Sequence, residues 1–117
     1  MSWRIEFFET ERGTSPPREF LLGLSPKAQA KFARTLDLVA EYWPHIAEPY
    51  VRATAGRRGL FEVRTQLGRE AYRLFFFTAA AHECLVMVHG IRKKTERTPA
   101  RDLETAERRM LVYLERQ

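Results

Sequence analysis

Arg64 and Arg73, Lys93 and Lys94, and His89 are the side chains whose types and spacing suit work on a phosphate ester. A guanidinium offers paired N–H donors that match two phosphate oxygens, a fit that an ammonium lacks. A lysine among other cations is pushed toward its neutral amine, the form that can accept a proton. Histidine is the natural proton carrier near neutral pH. The stretch Gly90-Ile91-Arg92-Lys93-Lys94-Thr95-Glu96-Arg97 places four cations within six residues, after an apolar strand and before a helix start. Charge gathered at such a junction predicts a pocket for a phosphate-bearing partner, RNA foremost.

Each residue also has a plainer role. Arg64 and Arg73 could be an ordinary pair held by Glu62 and solvent. Lys93 and Lys94 could do no more than attract a nucleic-acid backbone. His89 ends the apolar run Leu85-Val86-Met87-Val88, where histidines are commonly hydrogen-bonded structural residues. Arg92, Arg97, Arg52, Arg57 and Arg58 are placed to follow an RNA backbone, or simply to keep the surface charged. The outer face of the second helix, with Lys27, Lys31 and Arg34, is a conceivable protein interface.

The elements that must position these groups can be read from pattern. Trp3-Arg4-Ile5-Glu6-Phe7-Phe8 alternates as a strand does. Ser15-Pro16, Ser25-Pro26 and Thr98-Pro99 each place a capping hydroxyl before a proline, a helix-start signal. The second of these opens a long helix with Ala28, Phe32, Leu36, Val39 and Trp43 on one stripe, stopped by Pro44. Residues 44–59 read as a loop, residues 60–66, 71–77 and 84–91 as strands, and the last helix turns Leu103, Ala106, Met110, Tyr113 and Leu114 inward. The order β-α-α-β-β-β-α predicts an α+β fold, a mainly antiparallel sheet with helices packed on one face.

The turn at Gly68-Arg69 sets the register. A two-residue loop there puts Phe61 opposite Phe76, Val63 opposite Leu74 and Thr65 opposite Tyr72 on one face. The other face then carries Arg64 directly opposite Arg73, with Glu62 on the diagonal. Like charges opposed across strands are unfavourable unless something negative lies between them, which is the physical case for a bound phosphate.

The totals agree. Of a net charge of +5, residues 51–101 hold 11 basic and 4 acidic side chains, while the flanking segments are each slightly acidic. At 117 residues the chain is expected to form one domain, residues 1–117. It has no apolar run that could span a membrane, no secretory leader, and a single cysteine, Cys84, so a cytoplasmic address is expected. No Cys/His spacing suggests a metal site and no glycine-rich phosphate loop suggests a nucleotide cofactor.

Leu60-Phe61-Glu62-Val63-Arg64, Tyr72-Arg73, His89-Gly90-Ile91-Arg92-Lys93-Lys94-Thr95, Thr98-Pro99 and Ala106, in that order and spacing, resemble the phage-derived HigB-like toxins of the RelE/ParE superfamily. The resemblance covers residues 60–116, with Ile91 where that family places an aromatic residue. It implies a RelE-like fold and a type II toxin acting as a ribosome-dependent mRNA endonuclease. It also implies neutralisation by a helix-turn-helix antitoxin, contact with mRNA in the ribosomal A site, and operator DNA bound only through the antitoxin. Such cleavage uses the ribose 2′-OH as nucleophile without metal: a base takes its proton, cations stabilise the phosphorane, and an acid protonates the leaving 5′-oxygen. Arginine cannot be the base, so Arg64 and Arg73 are expected to clamp phosphate while Lys93, Lys94 or His89 moves protons. Successive strand residues face opposite ways, so only one of the two lysines should enter the pocket. Two other readings remain open: a ParE-like toxin that blocks a protein target such as DNA gyrase, and an RNA-binding module without catalysis.

Overall fold

The computed structural model describes residues 2–93 and 97–117; Lys94, one of the three proposed proton carriers, lies outside them. In chain order the elements are β1 (Arg4–Phe7), α1 (Pro16–Leu22), α2 (Pro26–Tyr42), β2 (Val51–Ala53), β3 (Phe61–Leu67), β4 (Glu70–Ala79), a single 3-10 turn (Ala80–His82), β5 (Cys84–Lys93) and α3 (Ala100–Glu115). Among the described residues, no helix is long and apolar enough to cross a membrane.

Local chemistry explains the starts and stops. Ser15 Oγ accepts from the Arg18 N–H at 3.4 Å and donates to the Phe8 carbonyl at 2.7 Å, so one hydroxyl caps α1 and ties it to the end of β1. Ser25 Oγ accepts from the Ala28 N–H at 3.2 Å. The third expected hydroxyl cap is not used: α3 begins after Pro99 with no side-chain cap, because the Thr98 hydroxyl is engaged by Arg73 instead.

The strands form one sheet in the order β1-β5-β4-β3-β2, with β1 parallel to β5 and the other pairs antiparallel. β2 falls inside the expected 44–59 loop; three residues with little apolar alternation give no strand signal of their own. The Gly68-Arg69 turn forms, with Gly68 at φ +61°, and fixes the predicted register: Phe61 opposite Phe76, Val63 opposite Leu74, Arg64 opposite Arg73, Thr65 opposite Tyr72. Between β4 and β5 the ladder slips: Phe75 faces His89 and Phe76 faces Met87, which leaves Val88 as a bulge.

Helices cover both faces rather than one. α1 and α2 lie over Val63, Tyr72, Leu74, Phe76, Leu85 and Met87. α3 lies over the opposite face, where Ala106, Met110 and Tyr113 pack with Phe75, Phe77, Val86 and Val88. The reason is in the central strands. Leu74-Phe75-Phe76-Phe77 and Cys84-Leu85-Val86-Met87-Val88 are apolar at every position and wholly buried, so each face needs its own cover. Leu114, expected to point inward, is 46 % exposed.

Candidate functional site

The hairpin of β3 and β4 and the end of β5 carry the charged residues to one end of the sheet. By strand alternation Glu62, Arg64, Arg73, Ile91 and Lys93 share the face that α3 partly covers, while Arg92 points to the other, its guanidinium 5.7 Å from the Tyr72 ring centroid. Arg64, Arg73 and Lys93 line a single open cleft of about 640 Å³, joined by Lys31 and Thr35 of α2, Glu48 and Tyr50 of the preceding loop, and Thr65 and Tyr72. The Lys31 ammonium donates to the Gln66 carbonyl at the uncovered end of β3. Three of the five residues proposed for catalysis therefore share one cleft.

Their environments differ. Arg64 is about a quarter exposed, and its nearest carboxylate oxygen belongs to Glu48 at 3.9 Å. Arg73 is 4 % exposed. Its Nη1 lies 3.2 Å from Glu62 Oε1 and donates to Thr98 Oγ1 at 2.7 Å, and Glu62 in turn accepts from the Thr54 hydroxyl at 3.3 Å. So the anion that reconciles the opposed arginines is, for Arg73, the protein's own. Arg73 is not an open clamp; it forms the wall of the cleft, neutralised from within. It also borders a second hollow of about 770 Å³ between Arg52, Thr54, Arg97 and the start of α3.

His89 is not among the described residues that line this cleft. Its Nε2 sits 2.8 Å from Asp102 Oδ1, and its Nδ1 accepts from Arg109 Nη1 at 3.2 Å. Arg109 also donates to the Val88 carbonyl at 2.9 Å, and the ring stacks on Phe75 at 6.2 Å. Arg109 as a donor to Nδ1 fixes the neutral tautomer with its proton on Nε2. Burial lowers the His89 pKa, and the Asp102 hydrogen bond opposes that only in part. Both nitrogens are used to fasten α3 to β5, the hydrogen-bonded structural role that the sequence also allowed.

The outlying arginines divide. Arg57 is tied to α3 through Glu107 at 2.7 Å and Arg52 to Glu48 at 2.7 Å. Arg92 lies 3.6 Å from Glu70. Arg58 and Arg97 are exposed. Lys31 and Tyr50 were not foreseen in the site. Lys31 sits on the polar side of an amphipathic helix and Tyr50 in a loop, and only the tertiary fold brings them to the hairpin end. Asp102 and Arg109 lie seven residues apart on α3, two turns on one face, a spacing that flags a shared partner once β5 is known to pack there.

Residues 19–111 match the family described as phage derived protein Gp49-like (DUF891). The chain belongs to that family. It is a family of the RelE/HigB toxin type. The Gp49-like chain shares its fold with the toxin RelE of E. coli, solved as a mutant in the free state, at 17 % identity and a TM-score of 0.65 over 94 % of this chain and 99 % of that one. At that identity the likeness speaks for the fold. No curated protein matches the sequence significantly.

Proposed function

We propose that this Gp49-like protein is the toxin of a type II toxin–antitoxin pair and cleaves mRNA on the translating ribosome, held in check by an antitoxin. The observation that carries the reading is the convergence of Arg64, Arg73 and Lys93 on one cleft at the end of the β3–β4 hairpin. In it Arg64 grips the scissile phosphate and stabilises charge on the phosphorane. Lys93 takes the 2′-OH proton, and the leaving 5′-oxygen receives one in return, giving a 2′,3′-cyclic phosphate and a 5′-hydroxyl. Arg73, paired with Glu62, holds the cleft wall in shape. Arg58 and Arg97 attract backbone phosphates at longer range.

A second reading, binding without cleavage, is favoured by one observation. With His89 engaged at both nitrogens, Lys93 is the one proposed proton carrier among the described residues that lines the cleft. Primer extension on mRNA from translating cells separates the two. Discrete new ends within codons, absent in Lys93→Ala and Arg64→Ala, support the nuclease; arrested growth with intact mRNA supports binding without cleavage.

A further inference from the structure

Tyr50 is an aromatic ring with no stacking partner among the described residues. It is 41 % exposed, lines the same cleft as Arg64 and Lys93, and among the described residues has no ring contact. Its backbone, by contrast, is held at both ends: its N–H donates to the Ala47 carbonyl at 3.0 Å, and its carbonyl accepts the Arg64 N–H at 2.8 Å. A ring carried on fixed backbone at the rim of a cation-lined cleft has the make-up of a platform for an unstacked base. The other cleft tyrosine cannot serve. Tyr72 is 4 % exposed, its ring set against Phe20 and Phe32 and its face met by Arg92. Tyr42 is more exposed than Tyr50 but lies outside the cleft.

We infer that Tyr50 forms a base-stacking subsite beside the phosphate site of Arg64, so that the cleft binds one nucleotide as a unit, backbone on Arg64 and base on Tyr50. The inference rests on the RNA reading above and adds the residue that holds the base. Arg64 and Tyr50 are separated by a single backbone hydrogen bond, close enough for one nucleotide to engage both. Stacking tolerates any base, so Tyr50 sets affinity and the position of the strand more than its sequence.

The test uses a short 2′-O-methyl oligoribonucleotide carrying 2-aminopurine, which cannot be cleaved and whose fluorescence falls on stacking. Tyr50→Ala should bind about 5- to 150-fold more weakly, the range stacking on one ring supplies. It should lose the quenching and keep the wild-type slope of affinity against salt. Arg64→Ala should lower that slope by about one ion and keep the quenching at saturation. Tyr50→Trp should bind and quench as well as the parent. If Tyr50→Ala binds and quenches like the parent, the stacking subsite is overturned and the RNA reading survives. If the unaltered protein binds no oligonucleotide even at low salt, both are overturned.

Discussion

Glu62 and Arg73 meet at 3.2 Å across neighbouring strands with their side chains 4 % and 5 % exposed. A charged pair this deep is costly to leave half-made. Removing the guanidinium leaves the Glu62 carboxylate buried away from water, which in buried pairs costs about 3–5 kcal/mol. Arg73→Ala is expected to lower unfolding free energy by about that amount in urea titrations. Arg64→Ala, at a long and half-buried pair with the exposed Glu48, should stay within about 1 kcal/mol. The double replacement Glu62→Leu with Arg73→Met should recover most of the loss, because it removes both buried charges. A loss of activity in Arg73→Ala alone therefore reports on the cleft wall as much as on chemistry.

The His89 strap predicts a stability that depends on pH. Burial depresses the folded-state pKa below the ordinary 6.5, so the unfolded chain takes up its proton first as pH falls. The contribution is whole above about 6.5 and is lost as pH drops below that value toward the folded pKa. Thermal scans between neutral and mildly acidic pH should show a falling Tm in the parent and a flatter profile in His89→Asn. Parallel profiles in the two proteins would remove His89 as the cause.

On the alkaline side the sign reverses. Burial and the neighbouring Glu6 carboxylate push the Cys84 thiol up to about 11 and the Tyr113 hydroxyl, which donates to Glu6 at 2.9 Å, up to about 12. The unfolded chain ionises these groups first, near 9 and 10, so their contribution is present below pH 9 and fades as pH rises through that range. Cys84, wholly buried, should resist alkylation at pH 8 in the native protein and react promptly in urea.

Gly90 is a contact glycine. A Cβ there would fall 2.2 Å from Phe20 Cδ2, so the ring of α1 rests directly on the β5 backbone. Gly90→Ala should cost about 1–3 kcal/mol through overpacking, measured as a lower urea midpoint, and Phe20→Leu in the same background should restore part of it.

Much of this was legible in the chain. The Gly68-Arg69 turn alone gives the β3–β4 register, because an apolar match such as Phe61 with Phe76 leaves no other pairing. The stripe from Ala28 to Val39 marks the buried face of α2 just as directly. What could not be read depends on contacts between distant segments. Nothing local to His89 announces Asp102 and Arg109. The bond from Arg73 to Thr98 needs that hydroxyl to forgo capping a helix, and α3 covers the second face because residues 74–77 and 84–88 are apolar at every position. Tyr50 becomes a neighbour of Arg64 only through the pairing of β2 with β3, and Lys31 reaches the hairpin end only through the packing of α2.

The bulge at Val88 acts as a phase shift written into β5. Up to Val86 even-numbered residues look toward α3; beyond the extra residue the odd-numbered ones do, and so Lys93 rather than Arg92 comes to stand with Arg73. Excising Val88 would restore an unbroken ladder and exchange the two cations, offering the cleft a guanidinium that never deprotonates in place of an amine that can. A single inserted residue thus puts an ammonium rather than a guanidinium beside Arg73, which the proposed chemistry requires.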